Sequence, residues 1–297
     1  MLVLQESQDL QILFESLEEH IPESLKVYGV IFNIRNKNPF SMEVLVDAWP
    51  DYQTVITRPK KEEMKDDLDH YTNTYQIFTK DPDKLEEILR CPQVINWEQV
   101  FQIQSFQESV GEAITKIAAS ESMKVDYTKT MLFFQKFLMK QKTSNGDESN
   151  PMDLFKMSKW DNENNFPIIS LDSSHAELVN KQWGFGKNET SLKFVRRCLQ
   201  NFPGFGVEGP ERTPISWMVM DQSCELRMGY TFPKYRGQGN MWQIASKFQK
   251  FLHQRRLPFY LHVSLNDEKN QDILRRIGLQ VGHCGWHQWI CRPHKYC

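Results

Sequence analysis

No stretch of this chain approaches the roughly 18 consecutive apolar residues that a membrane-spanning helix requires, so no transmembrane segment is expected. Positive charge is not in excess either. With 36 Lys and Arg against 38 Asp and Glu, the net charge is -2, which removes the electrostatic case for a nucleic-acid partner. Cysteine is sparse: six residues, at 91, 198, 224, 284, 291 and 297, with no Cys-x-x-Cys pair. Scattered thiols of this kind fit a reducing, intracellular compartment rather than a disulfide framework. The opening MLVLQESQDLQ lacks a basic start, and acids follow at Glu6, Asp9, Glu15, Glu18 and Glu19. Neither a secretory signal nor an ordinary mitochondrial presequence is expected, and import would need an unusual signal. The triplet Asn188-Glu189-Thr190 is therefore expected to stay unglycosylated. No internal repeat can be aligned.

What is present is enough for real cores. The 297 residues are 40% hydrophobic and 12% aromatic, a length and composition that favour two domains. Polar stretches rich in Gly, Pro, Asn and Ser, KQKTSNGDESNP (Lys140–Pro151) and SKWDNENNFP (Ser158–Pro167), read as an exposed linker. The expected division is 1–140, a linker over 141–165, and 166–297, each domain mixed α/β. In the first part, Leu4–Leu17 reads as an amphipathic helix. Val27–Ile34 (VYGVIFNI), Glu43–Trp49, Thr54–Thr57 and Tyr71–Thr79 read as strands, and Pro82–Leu89 and Ser109–Ala119 as helices.

In the second part the order is β-α-α-β-β-β-α-β-α-β. A strand at Pro167–Leu171 precedes helices at His175–Phe185 and Glu189–Gln200. Strands at Gly204–Gly209, Ser216–Asp221 and Cys224–Phe232 form a meander. A helix from Asn240 to about Arg255 presents Ile244, Phe248, Phe251 and Leu252 on one face. A strand at Pro258–Leu265, a helix at Glu268–Gly278 ended by its glycine and a strand near His287–Cys291 complete the pattern.

The most informative stretch is ELRMGYTFPKYRGQGNM, Glu225 to Met241. A strand runs through a turn at Pro233 into a loop with Gly237 and Gly239, and then into a helix. Such a joint aims successive backbone N–H groups and the positive end of a helix dipole at one point, which is an anion site suited to phosphate. Arg236 adds a side-chain donor that matches a diphosphate. Glu225 lies just upstream, within reach of whatever chemistry the phosphate-bearing molecule carries.

Two other patterns are set aside. Gly204-Phe-Gly-Val-Glu-Gly209 matches Gly-x-Gly-x-x-Gly literally, but it follows a helix and runs into Pro210 and Pro214, whereas a dinucleotide loop joins a strand to a helix. His283, Cys284, His287 and Cys291 alternate along a strand with no zinc-type spacing, so packing is expected and no metal. DDLDHYTNTY (Asp66–Tyr75) reads as a solvated turn entering a strand. Acid–base chemistry or capture of an ammonium group is its alternative.

The element order and the Arg236-Gly237-Gln238-Gly239 loop resemble the GCN5-related acyltransferase fold, whose fourth strand leads to an Arg/Gln-x-x-Gly-x-Gly/Ala loop holding the pyrophosphate of acyl-CoA. The last small residue of that loop is Met241 here. Leu274 stands where that fold often has a tyrosine to protonate the leaving thiolate. A narrower resemblance, to the glycine N-acyltransferase family, spans nearly the whole chain. It is carried by IPESLKVYGVIFNI, VLVDAWPDYQTVITRP, DDLDHYTNTY, INWEQ, LQNFPGFGVEGPE, DQSCELRMGY and GWHQWICRPHKYC. Within the family the likeness is to the glycine N-acyltransferase-like branch.

That resemblance implies an acyl-CoA:amino-acid N-acyltransferase with glycine as leading acceptor and acyl-CoA as co-substrate. It implies no permanent cofactor, a monomer, and a mitochondrial location with the endoplasmic reticulum or cytosol as alternatives. Glu225 would be the general base, directly or through a water, and a backbone N–H near Met228 or Gly229 would receive the thioester oxygen. Gly229 is expected to let the backbone approach closely or splay. Gly229, Tyr230 and Thr231 would pair with the pantetheine arm, and Arg236, Gly237, Gln238, Gly239, Asn240 and Met241 would hold the pyrophosphate. The first domain is expected to be a divergent copy of the second. Glutamine as acceptor, a protein or peptide amine as acceptor, and coenzyme binding without turnover remain as other readings.

Overall fold

A computed structural model describes residues 1–135 and 166–297. The expected linker, 141–165, lies outside the described residues. In chain order the elements are β1 (Leu2–Leu4), α1 (Ser7–Glu18), α2 (Leu25–Arg35), β2 (Met42–Val46), β3 (Thr54–Pro59), β4 (Thr74–Thr79) and α3 (Leu85–Arg90). Then come β5 (Phe101–Ser105), α4 (Val110–Ser120), β6 (Met123–Gln135), β7 (Ile168–Ser170), α5 (Ala176–Gln182), α6 (Glu189–Asn201) and β8 (Gly204–Glu208). The chain closes with β9 (Pro214–Met220), β10 (Leu226–Thr231), α7 (Asn240–Gln254), β11 (Phe259–Val263), α8 (Glu268–Arg276) and β12 (Gln280–Pro293). The fold is mixed α/β, as the sequence led us to expect.

The chain forms two compact units. One holds Met1–Leu132, Gln222–Cys224 and Gly282–Cys297, and the other Phe133–Asp221 and Glu225–Val281. In the first, strands follow the order β1-β2-β3-β4-β5-β12-β6. The pairs β2–β3, β3–β4 and β12–β5 are antiparallel, and β4–β5 is parallel. Gly282–Cys297, assigned by sequence to the second part, thus belong to the first unit. The cause is main-chain pairing: His287–Cys291 lie in register against Ser105–Phe101, and Trp286, Trp289 and Cys291 are buried there. Buried polar side chains on this sheet bond to one another: Gln102 Nε2 donates to Thr74 Oγ1 at 2.7 Å and Gln288 Nε2 to Gln102 Oε1 at 2.9 Å.

Val27–Ile34, expected as a strand, is helical and lies within α2. Residues Leu25 to Ile31 are all buried, so no polar face interrupts the apolar run, and helix and strand look alike in sequence. Gly29 on this helix makes room for the turn tip Gln222–Cys224. A Cβ there would fall 1.7 Å from the Ser223 carbonyl oxygen. Asn33 Nδ2 donates to the Gln222 carbonyl at 2.8 Å, and Lys26 Nζ to Ser223 Oγ at 3.2 Å.

The second unit carries an antiparallel sheet in the order β10-β9-β8-β7. Helix α7 packs on β8 and β9 through Ile244, Ala245, Phe248 and Leu252, and Phe248 meets Phe205 edge-on at 4.7 Å. Helix α6 starts at a capping box in which Asn188 Oδ1 accepts from the Ser191 N–H at 2.8 Å. The asparagine of the glycosylation-like triplet is thus a helix cap. Strand β10 is the edge of this sheet, and β11 is not one of its members.

Candidate active site

The site is built from Asp221 and Glu225, the edge strand β10, the start of α7 and β11. The turn is tied by two bonds: the Asp221 N–H donates to the Glu225 carbonyl at 3.0 Å, and the Glu225 N–H to Asp221 Oδ1 at 3.3 Å. Asp221 Oδ2 meets Arg227 Nη1 at 3.4 Å. These bonds hold Glu225 at the mouth of β10. Its side chain is fully buried, at 0% exposure, and its Oε1 lies 2.5 Å from Nδ1 of His262 on β11.

Further along, β10 is irregular. Arg227 faces Val219 and Tyr230 faces Trp217, so Met228 and Gly229 together stand opposite a single partner residue. This is a β-bulge, which bends the strand and takes main-chain groups out of the ladder. The left-handed residue of the bulge is Met228, at φ 58°, and not Gly229. A Cβ on the exposed Gly229 would make only ordinary contacts, the nearest at 3.7 Å to the Met218 methyl. The sequence reading gave the conformational role to the glycine, and the chain gives it to its neighbour, whose side chain is buried. Beyond the bulge, Tyr230 and Thr231 are half-buried on the strand, with no neighbouring strand on its outer side among the described residues.

The loop after β10 has the backbone the sequence suggested. Gly237 and Gly239 take φ values of 76° and 77°, a region that costs other residues a Cβ clash. Gly239 is the N-cap of α7 and supplies no side chain to cover the first N–H groups of the helix. Side chains stiffen the loop from within. Asn240 Nδ2 donates to the Tyr235 carbonyl at 3.0 Å, Gln238 Nε2 to the Lys234 carbonyl at 3.2 Å, and Arg236 Nε to the Thr231 carbonyl at 3.0 Å. Arg236, Gly237 and Lys234 are exposed, Gln238, Gly239 and Met241 half-buried, and Asn240 buried. Leu274 sits half-buried on α8.

The patterns set aside by sequence have structural explanations. Gly204–Glu208 is strand β8. Asp69 caps its own turn, accepting from the N–H groups of Tyr71 and Thr72 at 3.1 and 3.2 Å. Burial, with Arg292 adding to it, lowers the His70 pKa to about 4 against the opposing pull of Asp69. His287 is hydrogen-bonded through Nδ1 to the Tyr127 hydroxyl at 2.8 Å, and burial brings it to about 4 as well. Burial pushes the thiols of Cys284 and Cys291 up to about 12, so they are protonated at neutral pH. Among the described residues, no group of three or more His, Cys, Asp or Glu gathers to hold a metal.

Sequence reasoning missed His262. It lies 37 residues from Glu225, and no spacing links the two. Its one signal was an ionisable imidazole in Pro258–Leu265, a mostly apolar segment.

Comparison with known proteins gives a consistent result. The model of the family described as aralkyl acyl-CoA:amino acid N-acyltransferase matches residues 1–203, and the model of its C-terminal region matches 205–293. The human protein called glycine N-acyltransferase-like protein 2 is 61% identical over 297 residues, covering 100% of both chains. Rat glycine N-acyltransferase is 43% identical over 295 residues, covering 98% of both. A crystal structure of a GCN5-related N-acetyltransferase-like protein from Streptococcus suis superposes with a TM-score of 0.51 at 10% identity, covering 97% of this chain and 100% of the other. That last likeness speaks to the fold alone.

Proposed function

The chain belongs to the aralkyl acyl-CoA:amino acid N-acyltransferase family, and from that premise we propose that it joins the acyl group of acyl-CoA to the amine of glycine, giving an N-acylglycine and free CoA. The observation that carries the site assignment is one continuous piece of chain. A buried carboxylate at Glu225 just before β10, a bulge at Met228–Gly229 within it and a glycine-capped helix start at Gly239 after it follow one another along the chain.

In this reading the coenzyme's pyrophosphate sits over the first N–H groups of α7, with Arg236 beside it and Gly237 to Met241 as the cradle. The dipole and uncovered donors of a helix start favour an anion there. Gly229, Tyr230 and Thr231 offer their main chain on the outer edge of β10 to the pantetheine arm, as an added strand would. The thioester oxygen then meets main-chain N–H groups of the bulge, which stabilise the negative charge that builds during attack. The acceptor arrives as an ammonium, with a pKa about 10 by analogy with lysine, and Glu225 supplies the negative charge that draws its proton away. No covalent enzyme intermediate is needed, so both substrates are bound together. No helix among the described residues is long and apolar enough to cross a membrane. By family resemblance we place the enzyme in mitochondria, as a monomer.

The test is a set of acyl-CoAs offered with glycine, glutamine and a peptide amine, followed by free-thiol release and product mass. Thiol release with glycine, and a product heavier than glycine by the acyl group, is the expected result. Turnover with glutamine or the peptide alone would replace the acceptor. Coenzyme binding with no thiol release would leave a binding protein.

A further inference from the structure

Resting on the acyl-transfer reading, we infer that His262 is the group that takes the proton from the acceptor amine, and that Glu225 acts behind it as the positioning carboxylate. The argument begins with access. Glu225 has 0% side-chain exposure, and its Oε1 is engaged by His262 Nδ1 at 2.5 Å. A fully buried carboxylate does not meet a dissolved ammonium unless the turn that holds it opens, and that turn is closed by the two Asp221 bonds. His262 is the outer member of the pair, with 11% side-chain exposure. It stands on β11, across from an edge strand to which β11 is not hydrogen-bonded in a sheet.

The chemistry of the imidazole follows from that bond. A carboxylate accepts and does not donate, so Nδ1 carries the hydrogen and the ring lone pair is on Nε2. The carboxylate also stabilises the imidazolium formed once Nε2 is protonated, as in other histidine–carboxylate pairs. The Phe185 ring stands nearly perpendicular to the imidazole, at 73° and 6.3 Å between centroids. Asp221 and Arg227, at the base of this turn, are paired with each other at 3.4 Å. Arg227 in turn lies over Trp183 and Phe185 at 5.3 and 6.0 Å.

The steps balance. Nε2 of His262 accepts one proton from the ammonium, and the freed nitrogen lone pair attacks the thioester carbon. A C–N bond forms and the carbonyl pair moves to oxygen. When that pair returns, the C–S bond breaks and sulfur leaves with its electrons. The nitrogen, still one proton in excess of an amide, releases it, and the thiolate gains one. The products are the amide, CoA thiol and the imidazolium, which then gives its proton to water.

The experiment measures thiol release from acyl-CoA with glycine for the wild-type chain, His262→Ala, His262→Gln, Glu225→Gln and the His262→Ala/Glu225→Gln double variant. CoA titration on each checks that the fold is kept. We expect kcat to fall by about 10²–10⁴ in either histidine variant with CoA affinity unchanged. Because the two residues act as one unit, the double variant should be no more than about threefold worse than the poorer single variant. Added imidazole should restore activity at least about tenfold in His262→Ala and leave Glu225→Gln unmoved, an outcome a merely structural histidine would not give. An active wild type with His262→Ala within about threefold of it overturns the role of His262 alone, as does failure of imidazole to rescue that variant. If His262→Ala does not bind CoA, His262→Gln decides: full activity there overturns the inference, and the 10²–10⁴ loss supports it. A wild-type chain that releases no thiol with any amine overturns the acyl-transfer reading itself.

Discussion

Among single residues, the glycines and the arginine of the coenzyme loop give the cleanest separation of effects. Arg236 is exposed, with its Nε donating to a carbonyl, so removing its side chain leaves no buried hole. Arg236→Ala should weaken CoA binding by about tenfold to a hundredfold, the worth of a charge-assisted hydrogen bond. The glycine dependence at saturating coenzyme should stay as it was. Gly239→Val should be worse. At φ 77° a β-branched side chain is strained in its own backbone and also stands over the N–H groups the phosphate needs. Calorimetric titration with CoA reads both. Equal affinity in both variants would remove the loop from the coenzyme site.

At the level of elements, α2 shows what the sequence conveys and what it hides. The second unit was legible nearly element by element, because its helices are amphipathic and its strands are punctuated by Gly and Pro. Helix α6 has its polar cap Asn188, and α7 has an apolar stripe at Ile244, Phe248 and Leu252. The first unit was harder, since burial on all sides erases periodicity. Thus α2 reads as a strand, and β5, Phe101–Ser105, goes unread because Gln102 and Gln104 look like surface residues yet are buried. In the site, the anion loop was visible because left-handed backbone favours glycine, which marks its own position. The bulge conformation fell instead on Met228, which carries no such mark, and His262 was hidden because the partnership is made only in three dimensions.

Helix α2 also yields a stability prediction. Gly29→Val places atoms within 1.7 Å of the Ser223 carbonyl oxygen, and main chain cannot swing aside as a side-chain tip can. The cost should reach or exceed the roughly 1–3 kcal/mol usual for overpacking, seen as a lowered thermal midpoint. An unchanged midpoint would mean that the turn tip is not packed there.

For the whole molecule, the order of elements along the chain does not follow the division into units. A strand that comes after all of the second unit is a central strand of the first unit's sheet, flanked by β5 and β6. Deleting 282–297 should therefore damage the first unit more than the second, which precedes it in sequence. It strips partners from β5 and β6 and exposes the apolar surface that Trp286, Trp289 and Cys291 cover. Limited proteolysis of the shortened chain should show cutting inside 1–132 while residues from 166 onward stay protected for longer. Cutting confined to the second unit would contradict this arrangement.

The same interleaving imposes a timetable on the ribosome. Residues 136–279 must be made between the end of β6 and the start of β12, which at ordinary elongation speeds is on the order of 10–30 s. Throughout that interval the nascent first unit carries a slot in its sheet, with two strand edges turned toward it and nothing yet synthesised to fill it. A chaperone that binds extended apolar segments would find its target there during translation and lose it on release. A full-length chain diluted from denaturant meets no such delay, since β12 is present from the start.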